Sequence, residues 1–265
     1  MEEIRFLLHF AMAKECPRSL IKLSELDEED FENDDIVGLF DTEDPNIKVW
    51  ISGVGCNNIL SPEREVIDYI RTCDCIYSFG LAGSLNESLK VGDLVNVHSV
   101  NNLDVNVPDF PVCSTGFPEV DCISCFISPL VSLSEFGTRA ICYTSNRFVT
   151  KDYINFLFKD GEESGEDFYK DSYSWGIEES MIALVMGSTD SKPEEDCVVC
   201  DMELFYLRKL SELLNPATLV FSYKLVSDIV CKSDNYKEYE GSLETLLSKL
   251  HFTVNSVFKE LTAEE

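Results

Sequence analysis

Three acidic residues stand beside short apolar runs. Glu15 closes Ala11-Met12-Ala13-Lys14-Glu15 after the run Ile4 to Phe10, Glu203 ends Asp201-Met202-Glu203 after Cys197-Val198-Val199-Cys200, and Asp228 ends Val226-Ser227-Asp228. Carboxyl groups brought to one cleft from separate segments can divide acid from base work, one giving a proton while another takes one. Between them in the chain lies Ser78-Phe79-Gly80-Leu81-Ala82-Gly83-Ser84-Leu85, followed by Leu89-Lys90-Val91-Gly92-Asp93. A strand ending in closely spaced small residues lets a ligand approach the backbone at the carboxyl edge of a sheet. Each feature also has a plainer reading. Asp228 suits a helix N-cap, Glu15 a surface position in the turn before Pro17, and Glu203 a first-turn partner of a helix dipole. The glycine segment suits a tight turn after a buried strand.

Other reactive residues point elsewhere or nowhere. His9, His98 and His251 are the three histidines, and none stands near a Ser or Cys in a nucleophile motif, which argues against a triad hydrolase. His9 falls in the first apolar run and reads as structural. Eleven cysteines sit inside apolar runs, the pattern of buried reduced thiols. Two CxxC pairs, Cys122 with Cys125 and Cys197 with Cys200, raise a four-thiolate zinc site. Against it, Cys197 to Cys200 reads as extended chain, where positions three apart point to opposite faces. No metal and no organic cofactor is expected.

Positioning these residues requires a sheet with covering helices. Strand-like runs lie at Ile4–Phe10, Ile47–Ser52, Cys75–Phe79, Asp93–Val97, Arg139–Thr144 and Thr218–Val226, alternating with helical segments, the pattern of an α/β protein with largely parallel strands. From Leu243 the apolar residues Leu246, Leu247, Leu250, Val254, Val257, Phe258 and Leu261 recur at three- and four-residue steps, predicting an amphipathic helix that packs on the sheet. A chain of 265 residues with 45% hydrophobic content suits one large domain, 1–265. Two acidic stretches interrupt it, at about 24–46 and 159–196, the second with twelve acidic residues against three basic ones, and both read as solvated surface insertions.

The formal charge of -28 repels phosphate backbones and anionic lipid headgroups, so neither nucleic acid nor membrane is an expected partner. Glu2 and Glu3 stand where a signal peptide carries positive charge, and the apolar run Phe6 to Met12 is too short to span a bilayer. A cytoplasmic location is expected.

Taken together and in order, these segments resemble the nucleoside phosphorylase/nucleosidase superfamily, and within it the 5′-methylthioadenosine/S-adenosylhomocysteine nucleosidases. Gly80-Leu81-Ala82-Gly83-Ser84 is similar to that family's Gly-Ser-Ala-Gly-Gly, departing at Leu81 and Ser84, and Leu89-Lys90-Val91-Gly92-Asp93 matches its Leu-Lys-Val-Gly-Asp. Ala11 to Glu15 resembles Ala-Met-x-x-Glu, Gly53-Val54-Gly55 resembles Gly-Ile-Gly, and Ser145-Asn146-Arg147-Phe148-Val149 resembles Ser-Gly-Asp-x-Phe-Ile with altered spacing and no acid at Asn146. Asp201-Met202-Glu203 resembles Glu-Met-Glu, and Val226-Ser227-Asp228 resembles Ile-Ser-Asp.

The resemblance implies a three-layer α/β/α fold with a mixed, partly barrel-like central sheet and a homodimeric purine nucleosidase. It implies Asp228 as the acid that protonates the departing purine, Glu15 as the base that activates water, and Glu203 as the ribose anchor with Met202 packed on the sugar. Phe148 would stack on the purine while the Val149 backbone reads its edge. Met12, Val54, Ala82 and Gly83 would complete the substrate site, with Phe110 added across the dimer interface. Acids suit these roles because breaking an N-glycosidic bond builds positive charge on the ribosyl ring while the base leaves with its electrons.

Phosphorylases of the same fold commonly place an arginine two residues before the glycine turn, and this chain has Ser78 there. That favours water, although Arg147 near the purine loop could serve an anion. The expected reaction is hydrolysis of an adenine 5′-thionucleoside. A futalosine hydrolase, a purine nucleoside phosphorylase and a catalytically reduced binding protein remain alternatives.

Overall fold

Apolar runs rich in β-branched and aromatic residues form the centre of the molecule. The computed structural model describes residues 4–22, 31, 35–85, 88–103, 127–131, 137–153, 197–230, 232 and 235–262. Strand β1 (Phe6–Phe10) pairs in parallel with β3 (Ile47–Ile51) on one side and with β4 (Cys75–Ser84) on the other, while β2 (Gly38–Asp41) adds antiparallel to β3. Beyond β4 the sheet closes. The strands β4, β8 (Cys197–Asp201), β7 (Thr138–Thr144), β5 (Leu94–Asn102) and β9 (Leu219–Ile229) each pair with the next, and β9 returns to β4. Closure leaves the five barrel strands without a free edge between them. Strand β6 (Ile127–Pro129) lies outside on β5.

Helices cover both faces, giving the expected three layers. On one face, α1 (Cys56–Leu60), α2 (Arg64–Ile70) and α3 (Leu204–Leu214) bury Ile59, Ile70, Leu204 and Leu207 against Leu7, Ile76 and Val97. On the other, α4 (Asn235–Thr262) lays Leu250, Val254 and Val257 on Phe10, Phe79 and Tyr223. Those rings stack across adjacent strands, Phe10 on Phe79 and Phe79 on Tyr223, both at 5.8 Å between centroids. Each buried side chain of this size contributes about 1.5–3 kcal/mol. The strands that end at the cleft are thus fixed by packing on both sides.

Three sequence expectations need correction. The segment Gly80 to Ser84, read as a turn, continues β4, because pairing with β9 and β8 supplies partners along its length. Part of the acidic stretch 24–46 is an edge strand, since Leu39 and Phe40 of β2 pack toward the core while its one charge, Asp41, pairs with Lys48 of β3. Helix α4 starts at Asn235, well before the apolar periodicity begins at Leu243, because polar contacts anchor its first turns. The stretch 159–196, the pair Cys122 and Cys125, and Phe110 lie outside the described residues. Cys197 and Cys200 lie in β8 as reduced thiols, with no disulfide between them. No helix among the described residues is long and apolar enough to cross a membrane.

Candidate active site

The ends of β1, β4, β8 and β9 open into one cleft, and the sequence-derived candidates converge on it. Met12 and Glu15 follow β1, Val54 follows β3, and Ala82 and Gly83 come from β4. Phe148 and Val149 follow β7, Met202 and Glu203 follow β8, and Asp228 lies near the end of β9. All ten line the same space. Ser78 does not. It is buried in β4, bonded to His9 Nδ1 at 3.2 Å, so its identity carries nothing about the nucleophile.

Glu15 sits in a single 3-10 turn, Ala13–Glu15, that folds its side chain back onto the chain. Its Oε2 accepts the N–H groups of Ala11 and Met12 at 3.1 and 3.2 Å, and its Oε1 accepts the Leu81 N–H at 3.3 Å. Burial pushes its pKa up, while Lys224 and these three donors pull the other way. Its surface-residue reading is therefore set aside, because only 2% of Glu15 is exposed.

Lys224, which sequence reasoning missed, is buried in β9 and pairs with Asp201 Oδ2 at 3.0 Å. Burial alone would lower its pKa, but Asp201, Glu203 and Glu15 hold it above the ordinary lysine value. Asp201 also accepts from Thr144 Oγ1 at 2.6 Å and from the Leu204 N–H at the start of α3. Glu203 precedes α3 and accepts the Gly55 N–H at 2.7 Å. Burial and then the Asp201 charge raise its pKa. Its side chain lines the cleft as well as standing at a helix start, so the dipole reading describes its backbone position and not its surroundings.

Asp228 is not a helix cap. It lies within β9, where the register passes from Ala82 opposite Val226 to Gly83 opposite Asp228, leaving Ser227 as an extra residue. Such a bulge re-aims the side chains beside it. Asp228 Oδ1 accepts the Ser227 hydroxyl at 2.6 Å and Oδ2 accepts Asn235 Nδ2 at 2.7 Å. Burial raises its pKa, opposed by those two donors and reinforced by Glu238.

Two glycines of β4 make room for the two carboxyl groups. A Cβ on Gly80 would lie 3.3 Å from Glu15 Oε1 and 3.4 Å from Lys224 Nζ; one on Gly83 would lie 3.1 Å from Asp228 Oδ2 and 3.2 Å from Cys200 Sγ. Three strand residues span about 10 Å at about 3.3 Å per residue, so the carboxyl groups occupy opposite ends of the cleft.

The wall between them is aromatic and apolar. Phe148 meets Tyr236 and Tyr239 of α4 edge-on, at 5.5 and 5.8 Å between centroids, and Tyr239 also lines the cleft. The plainer reading of Phe148 as a core residue gives way, since it is only partly buried and faces the opening. The loop carrying it is held by the Ser145 N–H on the Asp201 carbonyl and by Asn146 Nδ2 on Tyr206. Val54 is 49% exposed at the mouth, and Arg147 is the cation among the lining residues.

No family model matches this sequence, and no curated protein matches it. Solved structures do match in fold. An MTAN of Chlamydia trachomatis bound to MTA aligns with a TM-score of 0.56 at 13% identity, covering 98% of this chain and 100% of that one. The same organism's MTAN bound to adenine gives 0.55 at 14% with the same coverage. The 5′-methylthioadenosine/S-adenosylhomocysteine nucleosidase of Helicobacter pylori with butyl-thio-DADMe-Immucillin-A gives 0.59 at 14%, again covering 98% and 100%. The fold is therefore nucleoside phosphorylase-like, the fold of these nucleosidases.

Proposed function

We propose that this chain hydrolyses the N-glycosidic bond of an adenine 5′-thionucleoside, methylthioadenosine or S-adenosylhomocysteine, and releases adenine. The observation that carries the reading is the pair of carboxyl groups at opposite ends of one cleft, each seated over a glycine of β4, in different electrostatic surroundings. Environments that differ in this way assign the acid and the base in enzymes that use two carboxyl groups.

Asp228, near the aromatic wall, holds its proton to a higher pH than an exposed aspartate and delivers it to the purine as the bond breaks. Phe148 stacks on the base, and the backbone of Val149 meets its edge. Glu15, fixed by three N–H donors and facing Lys224, takes the proton of an attacking water from the other side of the sugar. Two carboxyl groups that line one cleft from different strands suit the division of labour of inverting glycosidases, in which the base is set back from the sugar to leave space for that water. Glu203 accepts the ribose hydroxyls in place of the Gly55 N–H, and its charge stabilises the developing cation, with Met202 beside it.

The nucleophile end supports water over phosphate. Glu15, Asp201 and Glu203 gather there, and the buried Lys224 is already paired to Asp201, so a phosphate dianion would meet carboxyl groups with no described cation left over to hold it. Arg147 belongs to the loop at the purine end. The ligands held by structures of the same fold, MTA and adenine, support the adenine assignment. The half-exposed Val54 leaves the far end of the cleft open, which supports a second copy of the chain completing that wall.

Incubation of the purified protein with methylthioadenosine, with and without phosphate, tests the reading. Adenine and free methylthioribose at equal rates in both buffers are expected. A 1-phosphorylated sugar formed only with phosphate would replace hydrolysis by phosphorolysis, and no adenine in either buffer would end the enzymatic reading.

A further inference from the structure

Asn235 belongs to no motif, yet it touches both parts of the purine end. It is the first residue of α4, 4% exposed, and its Nδ2 donates to Asp228 Oδ2 at 2.7 Å and to the Val149 carbonyl at 3.0 Å. One amide nitrogen therefore uses its two hydrogens on the candidate acid and on the loop that carries the aromatic platform. The start of α4 is held against β9 by a second contact, in which Glu238 accepts the Ile229 N–H at 3.0 Å and Lys232 pairs with Glu238 at 2.7 Å.

The Val149 carbonyl decides which way the amide faces. Turning the amide over would place its oxygen against that carbonyl and leave two acceptors in contact, so the nitrogen stays toward Asp228. A fixed donor there excludes a proton from the lone pair of Oδ2 that faces Asn235. Ser227 behaves differently, since a hydroxyl rotates and can either donate or accept. The acidic proton of Asp228 then resides on an oxygen position open to the cleft.

We propose that Asn235 is a positioning residue, clamping Asp228 to the purine loop and directing the acidic proton of Asp228 toward a basic nitrogen of the bound purine. This rests on the reading of Asp228 as the acid. The groups that face Asp228 are Ser227 on its own strand, Asn235 and Glu238 on α4, and Cys200 of β8, with Tyr239 of α4 and Arg147 of the purine loop lining the same cleft. Glu238 is engaged by Lys232 and the Ile229 N–H, which leaves Asn235 as the donor that links the acid to the loop.

The test follows the Asp228 carboxyl carbon by NMR in protein labelled with ¹³C-aspartate, its resonance assigned by its loss in Asp228→Asn. Asn235→Ala removes a donor to the carboxylate and raises the titration midpoint by about one pH unit, about tenfold in proton affinity. Asn235→Asp sets two carboxyl groups against each other, so the resonance titrates in two steps. Asn235→Ser keeps a short donor and falls between wild type and Asn235→Ala. Turnover provides the second readout: kcat falls about tenfold or more in Asn235→Ala with a smaller change in KM, in keeping with general acid contributions. If the Asp228 midpoint in Asn235→Ser and Asn235→Asp matches wild type, the clamp is wrong, whatever happens to thermal stability. The titration needs no substrate, so absence of nucleosidase activity in the wild type would overturn the proposed function alone.

Discussion

At the Glu15 end of the cleft a buried lysine faces three carboxyl groups; at the Asp228 end the carboxyl is met by a hydroxyl and an amide, and no described cation pairs with it. The same functional group is thus given two different surroundings within one cleft. At one end Lys224 and three N–H donors oppose the burial that raises the Glu15 pKa, as a group that must accept a proton requires. Neutral partners at the other let burial act with less opposition and favour the protonated form. A single fold can so supply a base and an acid at one pH.

The sharpest way to break this comparison is to remove either carboxyl. Asp228→Asn and Glu15→Gln each lower kcat/KM for methylthioadenosine by about 10²–10⁴-fold with the fold intact by circular dichroism. Activity within threefold of wild type for either variant would end its assigned role.

Removing the cation tests the compensated end as a structure. Lys224→Met strands Asp201 among buried carboxyl groups and should cost about 3–5 kcal/mol in a denaturant melt. Lys224→Met with Asp201→Asn should recover much of that loss, because the pair is removed together. An unchanged melt for the single variant would show that the ion pair contributes nothing to stability.

Smaller effects come from the floor. A Cβ at Gly83 meets Asp228 Oδ2 and the Val230 side chain, so Gly83→Ala displaces the acid, costing about 1–3 kcal/mol and lowering kcat more than KM rises. Gly80→Ala does the same at the Glu15 end, where the contacts at 3.3 and 3.4 Å are looser and the loss is milder.

His9 provides a reference outside the cleft. Buried between Ser52 and Ser78, it has its pKa lowered to about 3, first by burial and then by Lys224. The lowered value means the folded protein holds neutral His9 where the unfolded chain would protonate it. Its contribution is full above the ordinary value near 6.5 and is lost as pH falls toward 3, at about 1.4 kcal/mol per pH unit. The Tm of His9→Gln should therefore fall less steeply than wild type between pH 6.5 and 4, and parallel curves would contradict this.

Much of the cleft was legible in the sequence because its residues ride on short motifs in a family order, and the ten candidates came together. The partners that tune them were not. Lys224 carried a usable signal, a lone lysine inside the apolar run Thr218–Val226, since a buried charge demands an opposite one. Asn235 carried none, because its contacts to Asp228 and Val149 join residues 7 and 86 positions away. The fold shows the same division. Strands β1, β3 and β9 announced themselves by composition, whereas β2 and the far end of β4 exist through pairing with neighbours that local pattern does not name. Glycines at 80 and 83 looked like turn residues. Their role is to leave space under two carboxyl groups.

The most direct test of two carboxyl groups with opposite duties is the pH dependence of kcat/KM in wild type, Asp228→Asn and Glu15→Gln. With Glu15 as base and Asp228 as acid, wild type should give a bell: activity falls at low pH as Glu15 gains its proton and at high pH as Asp228 loses its own, both limbs displaced upward by the burial that raises each pKa. Residual activity of Asp228→Asn should lack the alkaline limb and keep the acidic one, and Glu15→Gln should show the reverse. Loss of the same limb in both variants, or a bell unchanged in either, would contradict the division of labour between Glu15 and Asp228.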